Sequence, residues 1–421
     1  MSRKISVSFY IFIFLNQFLI YPLGADSITE TLGLEEALSL AYKQNPRIVQ
    51  ARKAIEGSQG DLITARTWAN PEVEAEIGGL KKNDEGRRKG HLDSITFKQS
   101  FDAPGVRHFK SGIAKNEVLI QEQSLRLTWG EVYSEVRQTY SKIILDKKEL
   151  ELKQSNLKSM RQFFSNVQLR YESGQTLKNN LQRAKIELLK TESEYLKAEN
   201  ELTLDKARLN LILGRPKEIS FDIKDELKEE SLELNLDALI ETAMSRRPDV
   251  KIEETQLNSR TKNVRKEQLN RLPSYSLGFQ KVNEDYEKDY AAVVEVSIPL
   301  WNLNQGEVKK AAAERDAQKV KLEALKNEVD FEVYANYQET RLALKQLDLF
   351  KKSLEEANEM FRLAGLRFKE GEIDFINYLD QVKASMDSRM QYYQGLYQLS
   401  QNISALEKSI YSSLRGEEFL K

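Results

Sequence analysis

The sequence predicts a mainly α protein with a small membrane β part, assembled from a duplicated helix–strand–strand–helix–helix unit. Three observations carry this. Residues 105–215 and 300–421 contain no proline. Proline interrupts helix interiors, so each tract has room for long helices. Four short runs alternate apolar and polar side chains, the period of a two-faced strand. Landmarks also repeat: Pro46 and Pro71 precede Pro248 and Pro273 by the same 202 residues.

The 421 residues carry 64 Lys+Arg against 65 Asp+Glu, a formal net charge of −1. That balance excludes a nucleic-acid binder relying on bulk positive charge. Charged residues make up 31% of the chain and the mean hydropathy is −0.57, too polar for a bundle of membrane helices. The lack of cysteine excludes disulfides, zinc ribbons and thiol catalysis.

Taken in order, the chain opens on Arg3 and Lys4, then an apolar run from Ile5 to Ile20, then Leu23, Gly24 and Ala25 before Asp26. This is the layout of a secretory signal peptide over residues 1–25. The first repeat, 26–212, reads as a helix over 34–69, strands over 71–80 and 92–101, and helices over 106–172 and 176–212. Residues 213–236, rich in Glu, Lys and Asp, link the halves. The second repeat, 237–421, reads as a helix over 237–271, strands over 274–283 and 291–300, and helices over 307–369 and 374–414. The repeat shows in the text itself: Ala41 to Ile48 (AYKQNPRI) parallels Ala243 to Val250 (AMSRRPDV). Leu169 to Gly174 (LRYESG) parallels Leu366 to Gly371 (LRFKEG).

The helices follow a coiled-coil pattern. Steps of three and four from Leu181 meet Ala184, Leu188, Thr191, Tyr195, Ala198, Leu202, Asp205, Leu209 and Ile212, mostly apolar. From Leu379 they meet Val382, Met386, Arg389, Tyr393, Leu396, Ser400, Ile403, Glu407 and Ile410, again mostly apolar. In the long helix Leu125, Trp129, Val132, Val136, Tyr140 and Ile143 form such a seam. A helix over 106–172 is on the order of 100 Å long at 1.5 Å per residue. A narrow seam on so long a rod needs neighbours along its whole length.

The strands each present one apolar and one polar face. Val73, Ile77, Phe97, Leu277, Phe279, Val296 and Ile298 are expected to face lipid, with Glu74, Glu76, Lys98 and Glu295 facing water. Residues 81–90 and 283–289 are highly charged and are expected to form loops. Four strands cannot close a barrel, and lipid tolerates no open sheet edge, so a membrane reading forces oligomerisation. Ordinary hairpins on a soluble core fit the strands alone equally well.

The layout resembles the TolC family of outer-membrane efflux channels over essentially the whole mature chain. Leu34 to Leu38 (LEEAL) with Asn45-Pro46 resembles the family's opening helix, and Trp68 to Glu72 (WANPE) the approach to its first strand. Ser297 to Gly306 (SIPLWNLNQG) resembles the exit from its last strand, with Pro104 to Arg107 in the equivalent place of the first half. Tyr171 to Gly174 and Phe368 to Gly371 resemble the tips of its two helical hairpins. The wording is closest to the cation-efflux, CzcC-like branch.

The resemblance implies a homotrimer. Its strands would close one β-barrel in the outer membrane of a Gram-negative-type cell, above a periplasmic α-helical barrel. It implies a periplasmic adaptor (a membrane fusion protein) and an inner-membrane pump as partners, with Gly174 and Gly371 at tips facing them, and no cofactor. Family members often place two aspartates three residues apart at the pore constriction; here those positions are Asn377 and Asp380. One member holds its closed state with a Tyr and an Arg near this tip. The matching Phe368 and Ile373 do not reproduce that pair.

No phosphate-binding Gly loop, nucleophile elbow or His-Glu-x-x-His pattern occurs. The two histidines, His91 and His108, are separated and have no Cys beside them, so no fixed transition-metal site is expected. If a metal ion is the substrate, the expectation is passage rather than tight coordination. The missing motifs argue against an enzyme, and the resemblance implies a passive exit duct for metal cations or drugs. The alternatives are an outer-membrane component of type I protein secretion and a periplasmic coiled-coil adaptor. An adaptor would carry one hairpin inside a small β-domain, not two hairpins each preceded by two-faced strands.

Overall fold

The computed structural model describes residues 30–77, 92–229, 232, 234–284 and 287–414. The expected signal peptide and the charged segment 81–90 lie outside these residues, as does His91. The elements are β1 (Glu30–Leu32), α1 (Leu34–Gln44), α2 (Pro46–Arg66), β2 (Glu72–Ile77), β3 (Leu92–Phe101), α3 (Val106–Glu172), α4 (Lys178–Ile212), β4 (Phe221–Ile223), α5 (Leu236–Arg246), α6 (Pro248–Leu269), β5 (Ser274–Glu284), β6 (Glu287–Ser297), α7 (Gln305–Glu370) and α8 (Phe375–Ile410).

The helices expected to be continuous over 34–69 and 237–271 are each broken in two. Pro46 and Pro248 open the second helix of each pair at its first position, where a missing N–H costs nothing. The residue before proline is pushed out of the α region, and both Asn45 and Arg247 sit at ψ 126°. The two breaks are tied down in equivalent ways. Asn45 donates from its side-chain nitrogen to the Ile212 carbonyl (2.7 Å), at the end of α4. Arg247 donates to the Ser409 carbonyl (3.0 Å), at the end of α8. Different side chains thus close the same contact in the two repeats. Arg247 also pairs with Asp249 and Glu332, at 2.6 Å each.

The 67- and 66-residue helices α3 and α7 are the long rods of the fold. The shorter helices lie end to end beside them: α3 packs on α2 and α4, and α7 on α6 and α8. Contacts of α3 with α6 and α8 join the halves. The lateral order is therefore α2–α3–α6–α7 near the sheet and α4–α3–α8–α7 beyond it. Seam residues Trp129, Val132, Val136, Tyr140 and Ile143 are buried in one core with Leu32, Ala37, Ala41 and Phe221. Leu239, Ala243, Val250, Val329 and Leu406 form the matching core of the second half.

The linker contains a strand that the sequence reading did not anticipate. Three-residue β4 pairs in parallel with β1, Leu32 opposite Ile223. The Tyr140 hydroxyl lies beneath it, 3.0 Å from the Leu32 carbonyl and 2.6 Å from the Asp225 carboxylate. The main sheet is antiparallel, ordered β2-β3-β5-β6, so β3 and β5 join the repeats. The expected loop at 283–289 is largely strand instead. β5 runs to Glu284 and β6 starts at Glu287, with Asn283 opposite Lys288 and Glu284 opposite Glu287. Charge there marks a strand extending beyond the apolar band rather than a loop. Likewise β6 ends at Ser297, before the expected position 300, because Pro299 cannot donate to a ladder.

Candidate functional site

The register of the sheet sorts its side chains into two chemically distinct faces. Directly paired residues of an antiparallel sheet share a face. One face joins Val73, Phe97 and Phe279 in a row, and beside it Leu277 with Val294 and Tyr275 with Val296. These side chains are exposed: Val73 is 68% and Phe97 48% accessible in the single chain. Ile298 continues the parity of β6 just beyond its end and is also exposed. Pairing with Asp93 puts Ile77 on this face, and its side chain lies outside the described residues.

The opposite face carries Glu72, Glu74, Glu76, Ser94, Thr96, Lys98, Ser276, Gly278 and Glu295. Here Ser94, Thr96 and Ser276 are buried. The sheet is thus inverted relative to a soluble fold, with its small polar residues covered and its large apolar ones open. Gly278 stands between Lys98 and Val293 in the register. Lys98 forms an ion pair with Glu295 across that strand. A Cβ at Gly278 would come within 2.8 Å of the Phe97 carbonyl oxygen, so only glycine fits.

At the far end, both helical hairpins turn on glycine in the left-handed region. Gly174 has φ 73° and Gly371 φ 80°. At each, the next N–H bonds back across the turn: Gln175 to the Arg170 carbonyl (2.8 Å) and Glu372 to that of Arg367 (2.9 Å). A Cβ at either glycine would meet open space, so backbone conformation alone requires them. Asp374 caps α8, accepting from the Asn377 N–H at 2.9 Å. Asn377 and Asp380 follow on the first turns of α8, three residues apart on one face, and both are exposed. Phe368 of α7 stacks on Tyr378 of α8, with centroids 4.7 Å apart and planes within 12°. The hairpin therefore closes on an aromatic pair that uses Phe368 and Tyr378 and does not involve Ile373.

Sequence reasoning missed an ion pair and a carboxylate inside the helical body, and a tyrosine bonded to the linker at its surface. Arg137 of α3 pairs with Glu407 of α8, and both are buried. The heptad count did place Glu407 on the α8 seam, which was the available signal. Glu407 also accepts the Leu414 N–H at 3.0 Å, fixing the chain beyond α8. Asp146 of α3 is buried and bonded to Lys142, with its Oδ2 lacking a hydrogen-bond partner. Burial, reinforced by neighbouring Asp205 and opposed by Lys142, raises its carboxyl to about 6. Tyr392 of α8 donates to Glu229 of the linker (2.8 Å), and burial with that bond pushes its hydroxyl up to about 12.

Among the described residues no group of three or more His, Cys, Asp or Glu is placed to hold a metal ion. No described helix is long and apolar enough to cross a membrane.

Comparison with known proteins places this architecture. The family model "Outer membrane efflux protein" matches residues 37–215 and 239–410, one stretch in each repeat. The cobalt-zinc-cadmium resistance protein CzcC of Cupriavidus metallidurans is 20% identical over 390 residues, covering 90% of this chain and 89% of that protein. The CmeC outer membrane channel of Campylobacter jejuni superposes with a TM-score of 0.77 at 16% identity, over 90% of this chain and 85% of CmeC. The open state of the MtrE outer membrane channel of Neisseria gonorrhoeae gives a TM-score of 0.76 at 17% identity, over 92% of this chain and 91% of MtrE.

Proposed function

The chain belongs to the outer membrane efflux protein family, and on that premise we propose that three copies form the passive exit duct of a tripartite efflux system. The observation that carries this is the inverted sheet. Its apolar face suits lipid and its polar face a water-filled lumen. Among the described residues neither sheet edge, β2 or β6, has a partner strand, and lipid does not tolerate such edges. Joining β6 of one copy to β2 of the next closes twelve strands from three four-stranded sheets.

The helices support the same ring. On one lateral edge α4 exposes Ile186, Leu189, Leu196, Leu204 and Leu211, and on the other α7 exposes Val320, Phe331, Leu342 and Leu349. The residues recur at intervals close to whole helical turns, so each set keeps to one side of its helix, suited to pack copy against copy. The helical barrel then stands in the periplasm, with the Gly174 and Gly371 tips toward an adaptor and pump.

In this assembly three copies of Asp380 surround one axis at the narrow end, with Asn377 one turn away. The duct has no energy source, so the pump selects the substrate. The resemblance to a cobalt-zinc-cadmium resistance protein makes divalent metal cations the first class to test, ahead of drugs. Fractionation and bilayer recording test the reading together. A detergent-requiring outer-membrane protein that conducts ions supports it. A protein released in the soluble periplasmic fraction refutes it.

A further inference from the structure

Two apolar seams of the first repeat are each interrupted by an aspartate, and the two aspartates face each other. On α4 the steps that bury Ala184, Thr191, Ala198 and Leu209 place Asp205 among them. On α3 Asp146 falls three residues past Ile143, where the apolar seam ends. Their side chains are 2% exposed at Asp146 and 17% at Asp205.

A carboxylate in such a contact is costly unless charges or hydrogen bonds compensate it. Compensation here is incomplete. Oδ1 of Asp146 accepts from Lys142, one turn back on α3, while Oδ2 has no donor. Asp205 turns its carboxyl toward Asp146 from α4. Arg208 approaches Asp205 at 3.7 Å, but from an exposed side chain that water screens. From α8, in the second repeat, Tyr397 faces the group with a hydroxyl that burial makes harder to ionise. The residues next to the pair are engaged elsewhere: Lys147 and Lys206 both turn to Asp222 of β4, at 3.0 and 4.0 Å. Inside the contact, one ammonium faces two carboxylates.

Carboxylates held this close resist joint ionisation, and a proton between them removes the repulsion and supplies the hydrogen bond that Oδ2 lacks. A metal ion fits less well. The Lys142 ammonium already holds the cation position, and among the described residues no third His, Cys, Asp or Glu completes a metal site.

We propose that Asp146 and Asp205 share one proton that clasps α4 to α3, and that loss of this proton loosens α4, the helix whose outer stripe faces the neighbouring copy. The link to the neighbouring copy rests on the ring of copies proposed above, whereas the clasp lies within one chain. Burial, opposed by Lys142 and reinforced by Asp205, raises the Asp146 carboxyl from 3.8 to about 6. A group whose folded pKa is raised contributes fully below its unfolded value and loses that contribution as pH rises through the folded one, here about 6. The clasp is therefore closed in an acid periplasm and open in a neutral one.

The test is hydrogen exchange of the full-length protein in detergent, read by mass spectrometry over residues 196–209 of α4. Rates are corrected for the intrinsic pH dependence of amide exchange. Protection is expected to be about tenfold greater at about pH 5 than at about pH 7.5, the factor that one site raised from 3.8 to about 6 yields. Asp146→Asn and Asp205→Asn each remove one of the two competing charges, keep a hydrogen-bonding side chain and should abolish the difference. Lys142→Gln removes the charge that opposes protonation and should move the midpoint to higher pH. Equal protection of the parent at both pH values would overturn the clasp. So would a difference that survives both Asn variants, the result expected of aspartates that only set helix register. Native mass spectrometry of the same samples reads assembly. If α4 loosens at neutral pH while the oligomer resists dissociation equally at both, the link to the neighbouring copy is wrong and the clasp stands. A chain that is monomeric at every pH, with the α4 difference intact, would refute the ring of copies and not the shared proton.

Discussion

Phe97→Arg separates a lipid-facing sheet from a soluble one. Phe97 lies near the middle of β3, flanked in register by Val73 and Phe279. It is 48% exposed in the single chain. If that surface met water, the arginine would be tolerated within about 0.5 kcal/mol, as at most exposed sites. If it meets lipid, arginine near the bilayer midplane costs about 2–4 kcal/mol. Loss of the transfer energy of the exposed half of the phenyl ring adds roughly 1 kcal/mol. Each chain of a symmetric assembly bears this cost, so the assembled fraction should fall steeply. Lys98→Glu, one residue away, makes the control. It breaks the pair with Glu295 and faces Glu72 in register, but on the polar face, where water and salt screen the new charge. The assay is the yield of assembled protein in isolated outer membranes, by unheated electrophoresis. Equal yields of the two variants would refute the assignment of faces.

Three further outcomes are expected. Asp380→Ala should weaken cation selectivity and block by multivalent cations in planar bilayers without dissolving the assembly, because a ring of like carboxylates attracts cations; unchanged selectivity and block would move the constriction elsewhere. Asp146, facing Lys142, Asp205 and Tyr397, has a folded pKa raised to about 6 from 3.8. Its contribution is therefore full below the unfolded value and is lost as pH rises through about 6, so melting temperature should fall from pH 5 to 7 by an amount equivalent to about 1–3 kcal/mol; Asp146→Asn should flatten that slope, and an unaltered slope would contradict the assignment. Glu407→Ala leaves Arg137 buried without its carboxylate and should cost about 3–5 kcal/mol, read as a lowered melting temperature; a double change of Arg137 and Glu407 to apolar residues should recover much of it, and no recovery would mean that Glu407 acts mainly through its bond to Leu414.

Much of this architecture was legible because it is periodic. Prolines and two-residue alternation are local signals, and duplication allowed each half to test the other. The breaks at Pro46 and Pro248 were misread as helix interior. A proline at a first helical position and one inside a helix look alike until the capping contact is seen, and those contacts, to Ile212 and Ser409, lie more than 160 residues away. β4 is three residues long and its partner is near the other end of the repeat, so no local pattern marks it. Arg137 lies off the apolar seam of α3, and Asp146 lies on its continuation, three residues past Ile143, where the apolar members end. They are buried because α3 is covered by several helices, and a single heptad stripe reports only one of those contacts. The proposed pore constriction is drawn only from family resemblance, since one chain places Asp380 on an exposed helix face and the proposed ring would form only between copies.

Assembly is the claim on which the duct depends. The direct measurement is the mass of the detergent-solubilised protein, with bound detergent accounted for, by light scattering or native mass spectrometry. Three chains of at most 48.6 kDa each, stable at low protein concentration, are predicted. A stable, folded monomer would leave the edges of β2 and β6 and the stripes of α4 and α7 without partners, and would contradict the account.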